Sequence, residues 1–131
     1  KTTRKETRSI RLGTIAARIR SIIIEYSPTQ VAVEQQFVAK NVRSAMAIGE
    51  ARAAAMIAAA DFALPVYEFA PKAVKEAVTG FGNATKEQVQ QMVFVQLGIS
   101  DDNQSFDISD ALAIALTRFA DANLELAMNR E

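Results

Sequence analysis

The chain has 131 residues, half of them apolar, and fifteen Lys/Arg balance fifteen Asp/Glu. That length suits one domain, residues 1–131, able to bury a real core, and the apolar share excludes a disordered chain. With no histidine and no cysteine, a Ser-His-Asp triad, an imidazole base, a thiolate site and a disulfide are all excluded. Acid–base or metal chemistry must therefore rest on carboxylates, with lysine or tyrosine in support.

Charge is unevenly spread. Residues 1–65 hold ten Lys/Arg against five Asp/Glu, and residues 66–131 hold five against ten. The opening stretch, with Lys1, Arg4, Lys5, Arg8 and Arg11 against Glu6, is the most basic. Such a patch suits a polyanion, although a solvated helix face explains it as well. The longest apolar run, residues 53–60, is far short of the roughly 20 residues of a membrane span. No signal-peptide pattern occurs, and the absence of cysteine fits a reducing compartment, so a cytoplasmic location is expected.

In chain order, Ile15, Ile19, Ile22, Ile23 and Tyr26 fall on one stripe and predict an amphipathic helix over about residues 6–27. Arg11, Arg18 and Arg20 lie off that stripe, toward water. Pro28 ends the segment, and Val31-Ala-Val-Glu34 reads as a short buried strand with Glu34 at its carboxyl end. In open α/β sheets ligand sites gather at such strand ends. Phe37, Lys40 and Asn41 follow in a loop. A second, alanine-rich helix is expected over about residues 42–63. Its narrow small-residue side, Ala45, Ile48, Gly49, Arg52, Met56 and Ala60, suits packing on the sheet or on another copy of itself.

Pro65-Val-Tyr-Glu-Phe69 predicts a second strand, with Pro65 tolerated at its start. Pro71 opens a short helix that should end at a left-handed Gly80. Thr79-Gly-Phe-Gly-Asn83 permits close backbone approach, or simply a tight turn. Lys75 and Lys86 flank this loop and could face one phosphate backbone or solvent. Thr85-Lys-Glu-Gln88 is a capping-box pattern. It opens a helix that should bury Val89, Met92, Val93 and Leu97 and stop at Gly98. The last helix is expected from near Asp107, with Leu112, Ala115, Leu116 and Phe119 turned inward.

Asp107 and Asp110 stand three apart, so a helix holds them on one face about 5–6 Å apart. N-cap and N3 roles would account for both. The apolar run that follows places Asp110 at the edge of the core, and no cation lies within a helical turn of it. A divalent ion would supply that partner. Glu34 with Asp107 and Asp110 is a hard-oxygen set suited to Mg²⁺ or Mn²⁺, and two such ions could serve phosphodiester hydrolysis. The lysines and a stacking aromatic, Phe37, fit a nucleic-acid substrate.

Val31-Ala-Val-Glu-Gln-Gln-Phe37 with Ala39-Lys-Asn41 resembles the RuvC family of Holliday-junction resolvases. So do Gly49-Glu-Ala-Arg52, Pro65-Val-Tyr-Glu-Phe69, Val74-Lys-Glu-Ala-Val-Thr-Gly80, Lys86-Glu-Gln-Val89 and Asp107-Ile-Ser-Asp-Ala-Leu-Ala-Ile-Ala115. The resemblance runs from about residue 10 to 119. It implies an α/β, ribonuclease H-like mixed sheet flanked by helices and a homodimer. It also implies Mg²⁺- or Mn²⁺-dependent paired nicking of four-way DNA junctions, in concert with branch-migration motor proteins. Glu34, Asp107 and Asp110 then resemble the family's catalytic, metal-holding acids. Phe37 resembles the aromatic inserted at the junction centre, Lys75 and Lys86 its DNA-contacting lysines, and Lys40 and Asn41 part of a DNA-facing loop. The helix over residues 42–63 resembles the family's dimer helix.

One departure stands out. The family opens with a strand bearing Asp-Pro-Gly, whose Asp is a fourth carboxylate, and then a hairpin; no Asp-Pro-Gly occurs here. The expectation is an N-terminally incomplete domain that binds junctions weakly and does not cut them alone. A non-catalytic junction-binding dimer and a ribonuclease H-like nuclease for another nucleic acid are the competing readings.

Overall fold

The computed structural model describes residues 6–35, 41–100 and 105–129. Phe37 and Lys40 lie outside them. The order of elements is α1 (Arg8–Tyr26), β1 (Val31–Glu34), α2 (Val42–Ala60), β2 (Val66–Phe69), α3 (Pro71–Thr79), α4 (Lys86–Leu97) and α5 (Phe106–Met128). The chain forms two compact units, residues 1–67 and 68–131, with the division falling inside β2.

In the first unit α1 packs on α2. Ala16 and Ile23 are buried on α1, and Ala54, Ala58 and Ala59 on α2. Methyl side chains let two helix backbones approach closely, and their burial removes apolar surface from water at about 25 cal/mol per Å². Arg8 pairs with Glu50 and Arg20 with Asp61, the second at 2.6 Å. Partners offset by a near-constant step in sequence mean that the helices run side by side in one direction. Arg20 is thus half-buried by this pairing, while Arg11 and Arg18 face water as expected. The predicted stripe is rotated: Ile22 and Tyr26 are exposed, because α2 covers only the line through Ala16, Ile19 and Ile23.

Ser27 ends α1 in the left-handed region (φ 47°), with its N–H bonded to the Ile23 carbonyl at 2.9 Å. β1 and β2 form a two-stranded parallel sheet, and Val31 N–H donates to the Pro65 carbonyl at 2.9 Å. α2 ends at Ala60, three residues earlier than predicted. Ala63 turns left-handed (φ 54°) and Leu64 N–H reaches back to the Ala59 carbonyl at 3.1 Å, a Schellman-type stop.

In the second unit Pro71 occupies the first turn of α3, and Gly80 (φ 76°) closes it. Thr85 and Gln88 complete the capping box: Gln88 N–H donates to Thr85 Oγ1 at 3.3 Å, and Thr85 N–H to Gln88 Oε1 at 2.9 Å. Gly98 (φ 66°) ends α4. The core gathers Val74 and Val78 of α3, Ala84, Val89, Val93 and Phe94, and Ala113 of α5. Gln96 donates to the Val78 carbonyl at 2.9 Å, satisfying a carbonyl at the end of α3.

Two buried faces differ from expectation. On α4, Phe94 is buried and Met92 and Leu97 are exposed. On α5 the buried line is Ser109, Ala113, Thr117 and Arg118; Leu112 and Leu116 are half-buried, and Ala115 and Phe119 face outward. Both α3 and α4 pack on α5, so its contact line carries small residues. The hydroxyls of Ser109 and Thr117 bond back to the carbonyls of Phe106 (3.0 Å) and Ala113 (2.8 Å), which removes the cost of burying them.

Candidate active site

β1 places Glu34 at its carboxyl end, half-buried. Further along the chain Asn41 serves the fold directly. It is the N-cap of α2, and its side chain accepts from Ser44 N–H at 2.9 Å. That bond satisfies one of the helix's orphan donors.

In the second unit Asp107 and Asp110 lie on the first turns of α5. The N-cap is Ser105, so the alternative of Asp107 as cap with Asp110 at N3 does not hold; Asp107 is in the first turn and Asp110 one turn on. Asp107 is exposed and Asp110 half-buried, at the edge of the core as expected. The missing cation is present, contributed by another helix. Lys86, the first residue of α4, holds Nζ at 3.2 Å from Asp110 Oδ2 and 5.9 Å from the centre of the Phe106 ring. Lys75 is half-buried on α3, and its carbonyl accepts from Thr79 Oγ1 at 2.7 Å.

The structure therefore brings together Lys86, Asp110 and Phe106 in one unit, while Glu34 stands in the other. Phe106, whose ring lies against the Lys86 ammonium, was not singled out by the sequence; its place immediately before Asp107 is the signal that could have drawn attention to it. Among the described residues no three acidic side chains form a ready metal cage. A two-carboxylate pair at a helix start still fits Mg²⁺, which binds through one or two carboxylates, keeps several waters and takes substrate phosphates as further ligands.

The family model for the crossover junction endodeoxyribonuclease RuvC matches residues 1–118. The chain belongs to the RuvC family. It is 48% identical over 106 residues to the RuvC of Moorella thermoacetica, covering 81% of this chain and 64% of that one. It is 48% identical over 107 residues to the RuvC of Histophilus somni, covering 82% and 56%. The chain thus spans less than two thirds of the length of these RuvC relatives. The structure of Thermus thermophilus RuvC superposes with a TM-score of 0.87 at 38% identity, over 95% of this chain and 75% of that one. The same protein in complex with a Holliday junction substrate gives 0.90 at 38% identity, over 95% and 76%. The fold is accordingly the ribonuclease H-like fold of RuvC.

Proposed function

We propose that the chain belongs to a RuvC-type endodeoxyribonuclease that resolves four-way DNA junctions in recombination and repair, contributing one ribonuclease H-like domain that acts in the cytoplasm. The observation that carries this reading is the carboxylate pair Asp107 and Asp110 at the start of α5, with Lys86 drawn against it. The junction complex of the Thermus relative supports the substrate class. Glu34, Asp107 and Asp110 would hold Mg²⁺ or Mn²⁺, two ions per site. When bound, such ions supply Lewis acidity for phosphodiester hydrolysis.

The chain's own residues do the rest. Phe37 stacks on a base at the junction centre, while Lys40, Asn41, Lys75 and Lys86 hold phosphates. A DNA phosphate and Asp110 compete for Lys86. A phosphate that draws the ammonium away would leave Asp110 free to help hold a divalent cation. Two copies join through the helix over residues 42–63. The intramolecular face of α2 centres on Ala54 and Ala58, and Ala45, Ile48 and Gly49 remain exposed for a partner copy. Branch-migration motors would deliver the junction.

The test is competition between a four-way junction, a linear duplex and an RNA–DNA hybrid at fixed salt, since backbone contacts are salt-sensitive. The junction should win by about ten-fold or more. These 131 residues alone should bind it without cutting; clean paired nicks with Mg²⁺ would show that three carboxylates suffice. In a polypeptide that also carries the family's Asp-Pro-Gly strand, Glu34→Gln should abolish cutting and preserve binding. Equal affinity for all three nucleic acids would defeat the reading.

A further inference from the structure

We propose that the cleft between the first turns of α1 and α2 binds the phosphate backbone of a DNA arm, with Arg8, Arg11 and Arg43 as its cations. This rests on the DNA-binding reading above and adds to it a contact surface built from arginines of the first unit. The cleft measures about 270 Å³ and is lined by these arginines and Glu50 together with Leu12, Ile15 and Met46. It lies wholly within the first unit.

Three observations favour an anion there. Glu50 engages Arg8 through both carboxylate oxygens, so one cation of the three is compensated and fixed in direction. Among the described residues Arg11 and Arg43 have no carboxylate partner, which leaves the cleft two positive charges in excess. The first turns of α1 and α2 also contain no acidic residue; they carry arginines instead. Helix N-termini are positive and favour acidic groups, so cations there are locally unfavourable unless an anion joins them.

Guanidinium forks match phosphate oxygens in geometry. A duplex arm offers successive phosphates along one groove edge. Arg43 follows Glu34 by nine residues, in the first turn of the next helix, so an arm held here is anchored close along the chain to the strand-end carboxylate.

The experiment measures the affinity of the 131-residue chain for a labelled four-way junction and for a linear duplex over a range of salt concentrations. Each lost phosphate contact lowers the slope of log K against log salt by about 0.9, so Arg11→Gln with Arg43→Gln should lower it by nearly two, and weaken binding at least ten-fold at low salt. Glu50→Gln frees Arg8 and should tighten binding and steepen the slope. Arg18→Gln, at an exposed position of α1 outside the cleft, should leave both unchanged.

An unchanged slope in the folded double variant overturns the proposal. So does a shift in its sedimentation, which would make the cleft a contact between copies. A lowered slope on duplex and junction alike, with no preference for the junction, upholds the cleft and defeats the proposed function. A wild-type chain that binds neither DNA defeats both.

Discussion

Lys86 Nζ sits 3.2 Å from Asp110 Oδ2, joining the first residue of α4 to a carboxylate on α5 from 24 residues away in sequence. The Lys86 side chain is 63% exposed and the half-buried Asp110 still leaves 46% of its side chain to water, so the pair adds little to stability, under about 1 kcal/mol. Its consequence lies in competition for the carboxylate. Lys86→Met should tighten Mn²⁺ binding two- to five-fold without DNA, read by electron paramagnetic resonance, since about 1 kcal/mol is a factor of five. Asp110→Asn should abolish that binding. Unchanged Mn²⁺ affinity in Lys86→Met would mean that the ammonium does not compete for the site.

Gly49 tests the dimer helix without disturbing the fold, because a Cβ added there meets nothing within 4 Å. Gly49→Leu should fold normally and gain helix propensity of about 0.8 kcal/mol. If α2 is the dimer helix, sedimentation should show it as a monomer at concentrations where the parent chain is a dimer. A dimeric Gly49→Leu would move the interface elsewhere.

The two glycines of the loop between α3 and α4 should behave differently. Gly80 has φ 76°, which a side chain resists, so Gly80→Ala should cost about 1 kcal/mol and lower Tm by roughly 3–5 °C. At Gly82 an added Cβ comes within 2.9 Å only of Lys72 Cγ and Cε, which belong to a flexible side chain. Gly82→Ala should therefore be the milder change in a thermal melt. The opposite order would place the backbone constraint at Gly82.

Acid should loosen the end of α5. Hydrogen bonds from the Arg118 guanidinium, at 2.9 and 3.1 Å, hold the Glu125 carboxyl below its ordinary value, and the charge of Arg118 acts in the same direction. A depressed carboxylate contributes stability above its unfolded pKa of about 4.3, and that contribution is lost as pH falls through the lower folded value. Glu125→Gln should therefore flatten the dependence of Tm on pH between neutral and strongly acid solution. An equally steep fall in the variant would assign the acid sensitivity to other carboxylates.

Element positions could be read from residues 1–131 because their causes are local. Pro71, Gly80, the Thr85–Gln88 box and Gly98 act on the backbone within one turn, and all stand where expected. Elimination narrowed the field as well: without histidine or cysteine, acid–base or metal chemistry is left to carboxylates, of which Glu34, Asp107 and Asp110 are the ones proposed. Where α2 ends, and which sides of α1, α4 and α5 are covered, depended on neighbours remote in sequence. Ser109, Ala113 and Thr117 are buried because two helices crowd that line, a fact no hydrophobic period contains. The same holds for charge. A search within one helical turn of Asp110 finds no cation, while folding brings Lys86 to it; Arg11 and Arg43 share one cleft only because α1 and α2 lie side by side. Local spacing governs the backbone of each element, whereas the pairing of side chains between elements exists only once they pack.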